Sequence, residues 1–386
     1  MIYFDNAATS FPKPEGVVGA MSRCMKEYCG NPGRSGHIMS VRAAEAVYDA
    51  RCEVAGLVGI EKPENVVFTQ NATHAINLAV GGYARGLHRR GERQHFLISN
   101  LEHNSVSRLM AGLKNECGIS FDVFNAVGEE RKILMDIRSK LRPYTKAVVC
   151  TGASNVAPIV LPVGRIGALC RENGIAFFLD ASQTAGLYDI NMNRDGVTAV
   201  CAPGHKALYG PQGSGFAAFC DDFDFSILPP HIYGGNGINS YEQGMGFDPP
   251  ESYEAGTVAV PNIVGLREGI RFVRGLGADY LREKEERVCR YLRTEFGNTR
   301  GIRLVYPESD GGCLVTLLCD VKPPTALAEE LASRGFCMRA GMHCAPLAHD
   351  TLKTGGDALR ISPGAFSNVY EAEKLVDETV KLLKTA

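Results

Sequence analysis

The chain has 386 residues, 45% of them apolar and 22% charged, which is length for two domains and composition for a sizeable buried core. Its 41 Lys and Arg nearly balance 43 Asp and Glu, so the basic surplus of a nucleic-acid-binding protein is missing. No apolar run approaches the roughly 18 residues of a membrane span.

The opening stretch MIYFDNAATSFPKP lacks the basic and apolar regions of a signal peptide. The 13 Cys follow no regular spacing and read as reduced thiols. A cytoplasmic enzyme that binds neither nucleic acid nor membrane is the expectation. From about residue 60 to 220, short β-rich runs alternate with helix-length segments. Strands are predicted at 66–69, 96–99, 120–124, 147–150, 175–179, 197–201 and 215–219, and helices at 73–85, 104–117 and 163–173. Apolar strands separated by amphipathic helices imply right-handed crossovers and a seven-stranded, mainly parallel sheet covered on both faces. In such a sheet, chemistry collects beyond the carboxyl ends of the strands. The Gly- and Pro-rich interval 229–250 reads as an exposed excursion. After it come one long helix over 261–296, strands at 302–305 and 313–318, and helices at 324–334 and 368–383. The fold class is therefore α/β, with a large domain at 14–260 and a smaller α+β domain combining 1–13 with 261–386.

In CAPGHKALYGPQGSG at 201–215, Lys206 stands among small, apolar and turn-forming residues just after a predicted strand. An ammonium desolvated by such neighbours has a lowered pKa, which frees the amine for Schiff-base chemistry. The plainer alternative is a solvated Lys on a Gly-rich loop. No GxxxxGK[ST] string occurs, which excludes a P-loop. Upstream, Asp180 ends the apolar run of FFLDASQ, where a buried carboxylate needs a positive partner. A pyridinium nitrogen would serve, and so would the start of the next helix. At Asn71, Thr73 and His74 a strand gives way to a helix, so free amides and the helix dipole favour an anion such as phosphate.

Nine short motifs follow one order along nearly the whole chain: FDNAATS at 4–10, ATHAIN at 72–77, LEHNS at 101–105, SNVAPIVLPV at 154–163, LDASQ at 179–183, PGHK at 203–206, EAGT at 254–257, RAGMHCAP at 339–346 and LRISP at 359–363. Together they make the sequence resemble the class V aminotransferase family of fold type I pyridoxal phosphate enzymes, and within it the cysteine desulfurases and selenocysteine lyases. The resemblance implies pyridoxal 5'-phosphate as cofactor. Lys206 would anchor it and later act as general base, Asp180 would face its ring nitrogen, Gln183 its phenolic oxygen, and His103 would stack on its ring. Thr73, His74 and His205 would hold its phosphate. Asn155 would lie between cofactor and substrate carboxylate, Arg360 would grip that carboxylate with its planar fork, and Arg339 would assist. Thr257 matches a residue that relatives supply from the neighbouring subunit, which implies a homodimer with shared active sites. Pro203 departs from the Ser that relatives often carry, so one phosphate hydrogen bond is missing or replaced.

The loop RAGMHCAP sets Cys344 beside His343 and near Arg339, and positive neighbours favour the thiolate that attacks sulfur. The family's persulfide-forming cysteine falls here, although Met342 stands where relatives usually have His. Free Cys are more often small buried hydrophobes, the reading given to the other twelve, Cys150, Cys201 and Cys319 among them. Cys337, His343, Cys344 and His349 lie within 13 residues and could be drawn as zinc ligands, but they contain no CxxC or HxxxH unit, so no metal is expected. The resemblance thus implies a pyridoxal phosphate-dependent cysteine desulfurase that converts L-cysteine to L-alanine and leaves a persulfide on Cys344. The sulfur would pass to a protein acceptor for iron–sulfur cluster or thio-cofactor assembly. The alternatives are a selenocysteine lyase, a class V aminotransferase or lyase acting on another amino acid, and a non-catalytic relative of the fold.

Overall fold

The computed structural model describes residues 1–384 apart from 34, 236, 238–240, 242, 309 and 310. Seven strands pair in the order Val66–Thr69, Gly215–Phe219, Ala199–Pro203, Ala176–Asp180, Thr145–Thr151, His95–Ser99 and Ser120–Phe124. Gly215–Phe219 runs antiparallel to both neighbours, and every other pair is parallel. Because side chains alternate along a strand, Val148 and Cys150 enter one core while Ala147 and Val149 enter the other. Both faces are thus buried, which explains why these strands read as continuous apolar runs. Three strands keep their predicted bounds; Ala176–Asp180 and Ala199–Pro203 run on to include Asp180 and Pro203 as their last residues.

The helix expected at 73–85 extends further, as α turns at Ala72–Ile76 and Gly82–Arg89 joined by a π segment at Asn77–Gly81. It lies very close to the chain at Ile227: a Cβ on Gly86 would sit 1.6 Å from the Ile227 carbonyl oxygen. The single helix expected over 261–296 is two helices, Val260–Leu276 and Ala278–Gly297. Gly277 between them adopts φ 87° and ψ 131°, which no helical residue can hold.

That break separates two environments. Val264, Leu266 and Ile270 pack into the core that contains Ala20, Ala43 and Val47. Leu292 and Phe296 instead join Phe4, Leu327, Leu359 and Leu375 around a four-stranded antiparallel sheet. Its order is Arg339–Gly341, Ala358–Ile361, Val315–Cys319, Ile302–Leu304. The first residues of the chain reach this second core because Ile2–Tyr3 pairs in parallel with Phe336–Cys337. The described residues of the interval 229–250 form no helix or strand, and positions 236, 238–240 and 242 of that interval lie outside the described residues. Among the described residues no helix is long and apolar enough to cross a membrane.

Candidate active site

Strand ends in the first sheet bring polar residues to one edge. Thr69 leads into Asn71, whose side chain caps the following helix by accepting from the His74 amide at 2.9 Å. His103 caps Asn104–Cys117 in the same way: its Nδ1 accepts from the Ser105 amide at 3.1 Å, which leaves Nε2 as the protonated nitrogen of the neutral ring. Thr151 and Asp180 are register partners at the ends of adjacent strands. Ala199–Pro203 ends in the turn that carries Gly204, His205 and Lys206. A Cβ on Gly204 would meet Ser214 Oγ at 2.2 Å, so a larger residue here would have to displace the Ser214 side chain.

The second sheet faces that edge. Arg339 and Arg360 are directly opposed on neighbouring antiparallel strands and so project from one face. Between the two sheets lies a cavity of about 200 Å3. Thr73, His103, Asn155, Asp180, Gln183, His205, Lys206, Arg339 and Arg360 all line it, together with Pro203 and His343. The structure therefore gathers nine of the twelve sequence-derived site residues in one cavity.

Burial sets the charges there. It lowers the Lys206 ammonium to about 8, against the partial support of Asp180, while Arg360 and Arg339 push the same way as burial. His205 is brought down to about 4 by burial and by the ammonium groups of Lys206 and Lys13, and its Nδ1 is buried with no hydrogen-bond partner among the described residues. Asp180 is 3% exposed and, among the described residues, accepts one side-chain hydrogen bond, from the Ser182 amide at 2.9 Å. Arg360 is buried: Nη2 donates to Asp5 at 2.9 Å, Nη1 donates to the Asn155 carbonyl at 2.9 Å, and Nε has no partner among the described residues. Gln183 Nε2 donates to the Ala7 carbonyl at 3.1 Å and Asn155 Nδ2 to the His343 carbonyl at 2.8 Å.

Three residues lie outside the lining. The His74 ring turns away toward His231, with centroids 6.1 Å apart. Thr257 is exposed. Cys344 is exposed at the rim, its Sγ accepting from Arg339 Nη2 at 3.4 Å and its carbonyl from the Asn104 amide at 2.8 Å. His343 and Cys344 both have left-handed backbone, φ 48° and 57°, an arrangement non-glycine residues hold only where surrounding contacts enforce it. His343 and His349, two of the four residues that could be drawn around zinc, bond to each other instead: Nδ1 of the first lies 3.3 Å from Nε2 of the second, and His343 Nε2 lies 3.2 Å from the Arg339 carbonyl.

Other polar groups were not anticipated from the sequence. Asp5 partners Arg360 from 355 positions away, and no local pattern announces such a pairing. The His205 carbonyl accepts from Lys13 Nζ at 3.0 Å and from the Ser10 amide at 2.9 Å, tying the N-terminal segment to the lysine turn. Glu102 is buried next to His103, accepts from Ser99 Oγ and the Thr151 amide, and burial raises its pKa to about 8.

The chain belongs to the aminotransferase class-V family, which it matches over residues 2–375. It is 29% identical over 374 residues to "Probable cysteine desulfurase 1" of Mycobacterium leprae, covering 96% of this chain but 60% of that protein. A Mycolicibacterium paratuberculosis relative is covered over 53% of its length, so the chain spans little more than half of these two proteins. "Probable cysteine desulfurase" of Halobacterium salinarum is 30% identical, with 97% of this chain and 90% of the relative covered. Among solved structures, the apo cysteine desulfurase of Thermococcus onnurineus superposes with a TM-score of 0.91 at 26% identity, covering 100% of this chain and 95% of that one. The family comprises pyridoxal phosphate enzymes.

The lining fits that cofactor: a desolvated amine, a buried carboxylate with spare acceptor capacity, an unpartnered imidazole nitrogen and a helix start face the same space.

Proposed function

We propose that the protein is a pyridoxal phosphate-dependent cysteine desulfurase, forming L-alanine from L-cysteine and a persulfide on Cys344. The observation that carries this reading is the desolvated Lys206 amine sharing one cavity with Asp180 and Arg360, with Cys344 held at its rim by Arg339. Lys206 would hold the cofactor covalently, Asp180 its ring nitrogen, Gln183 its phenolic oxygen and His103 its ring face; Thr73 and His205 would take the phosphate, while His74, expected beside them, has its ring turned toward His231 and its amide donated to Asn71. When bound, the cofactor supplies an electron-withdrawing ring that loosens bonds at the substrate's Cα and Cβ.

The chain's own residues do the rest. Arg360, with Asn155 and Arg339, binds the substrate carboxylate, exchanging part of its contact with Asp5 for the ligand. Lys206 takes the Cα proton and returns one to carbon. The Cys344 sulfur then attacks the substrate sulfur: the new S–S bond forms, the Cβ–S bond breaks with its electron pair left on carbon, and Cβ takes a proton to become the alanine methyl. Cysteine plus thiol gives alanine plus persulfide, with no outside oxidant. The exposure of Cys344 supports onward transfer to a protein acceptor serving iron–sulfur cluster or thio-cofactor assembly. Homodimerisation with Thr257 donated to the partner's site, a cytoplasmic location, and a division into 14–260 and 1–13 with 261–386 belong to the same reading. Helix Val260–Leu276 falls almost wholly in the second part of that division, although its packing is on the first core.

The test is to supply L-cysteine and a reductant and to measure alanine and sulfide together. Equal yields of both support the reading, whereas keto-acid formation would point to transamination. Cys344→Ala should cut sulfide release by about 100-fold or more while borohydride still attaches the pyridoxyl group to Lys206. Full activity in that variant would remove Cys344 from the reaction.

A further inference from the structure

The main cavity touches a smaller one of about 40 Å3. The two share Ala7, Gln183 and Lys206, and Tyr188, Tyr209, Cys313 and Glu285 close the smaller chamber. Glu285 lies on helix Ala278–Gly297, so the chamber sits where the second core meets the lysine turn. Its side chain is 4% exposed and receives no hydrogen bond among the described residues. A carboxyl buried without a donor is costly, and the space beside it exceeds the roughly 10–15 Å3 that one water needs.

We propose that this chamber holds water joining Glu285 to Lys206, and that Glu285 stores and returns the proton of the Lys206 amine. The inference rests on Lys206 being the reacting amine, as proposed above. The transfer balances: once the amine has taken a proton from carbon, one proton passes through water to the Glu285 carboxylate, leaving a free amine and a neutral carboxyl. The reverse transfer restores the ammonium that later protonates carbon. No electron moves and no co-reactant is consumed.

Burial pushes the Glu285 carboxyl up and brings the Lys206 ammonium down, which narrows the gap a proton must cross between them. The other titratable groups facing Glu285 do not compete near neutral pH. Burial raises Tyr188, Tyr209, Cys313 and Cys289, keeping all four protonated. Tyr188 donates its hydroxyl to the Gly311 carbonyl, and Lys284, on the same helix, donates to the Ala365 carbonyl at 2.5 Å. Glu285 acts through Lys206 and is in that sense a positioning residue.

Glu285→Gln keeps the shape of the side chain and stands in for its protonated form, but can neither take up nor release a proton. In the holoenzyme it should lower kcat about tenfold, shift the pH profile of kcat, and leave KM within about twofold, with Glu285→Asp recovering part of the loss. In the apoprotein, the pH dependence of reductive methylation at Lys206, read by peptide mass, should show a midpoint about half a unit lower in Glu285→Gln, since no carboxylate then forms beside the ammonium. An unchanged midpoint and pH profile, even with a lower kcat, would assign Glu285 to packing and overturn the proposal. Should the Gln variant not fold, the wild-type labelling curve decides: two steps support coupling, and a single step overturns it. Borohydride keeps the two readings apart. If it attaches a pyridoxyl group to Lys206 in neither protein, the functional reading fails; attachment in both with labelling independent of Glu285 sinks this inference alone.

Discussion

At Lys206 the chemistry required and the stability of the fold pull in opposite directions. Burial lowers the ammonium from 10.5 to about 8, so below about 8 the folded protein carries a charge it holds less well than water does. Between those two values the folded state binds fewer protons than the unfolded chain, and stability therefore rises with pH across that window. Lys206→Met removes the penalty. The apo variant should exceed the wild type by about 1–3 kcal/mol in urea unfolding at pH 7, and the gap should shrink by pH 10. A gap that stays constant over that range would contradict a desolvated ammonium. This residue and Asp180 were readable in the sequence because each stands as a lone charge against apolar or small neighbours. Asp5 and Glu285 were not, since their surroundings are assembled from segments hundreds of positions apart.

Among the elements, those readable from local pattern are the ones whose burial is local in origin. Strands covered on both faces announce themselves as apolar runs, which is why the fully buried strands of the first sheet were found in place, whereas the half-buried edge strand Ser120–Phe124 was marked by its β-forming residues. Short strands such as Arg339–Gly341 have little pattern of their own and exist through their partners. The split at Gly277 was missed for another reason: buried positions on the two flanking helices keep a helical spacing across it, from Val273 to Leu281 and Glu285, and outweighed the stop signal of Gly275 and Gly277. Tertiary pairing also holds the chain that follows the 229–250 interval. Glu254, in the EAGT motif, accepts from Arg51 through both carboxylate oxygens and from the Phe68 amide at 2.6 Å, with both side chains 7% exposed. Removing one partner leaves the other charge buried, so Glu254→Ala should lose about 3–5 kcal/mol in urea unfolding. A loss under about 1 kcal/mol would mean the pair is solvated in solution and does not anchor the motif.

For the molecule as a whole, the site is a property of apposition. Asp180, His205 and Lys206 come from the edge of one sheet, Arg339 and Arg360 from another, and neither set is a site alone. One member of the expected set, Thr257, is exposed and outside this cavity in its own chain. If Thr257 serves the chemistry from a second copy, as proposed above, symmetry makes that claim quantitative. In a two-fold dimer each site would take Lys206 from one subunit and Thr257 from the other. Mixing Lys206→Ala with Thr257→Ala subunits then yields, in half of the dimers, one site with neither substitution and one site with both. Random assortment restores about a quarter of all sites. Activity of the mixture, measured after mass spectrometry has verified exchange, should rise above the average of the separate variants toward that fraction. Proven exchange with no gain would place Thr257 outside the partner's site and leave each subunit to complete its own.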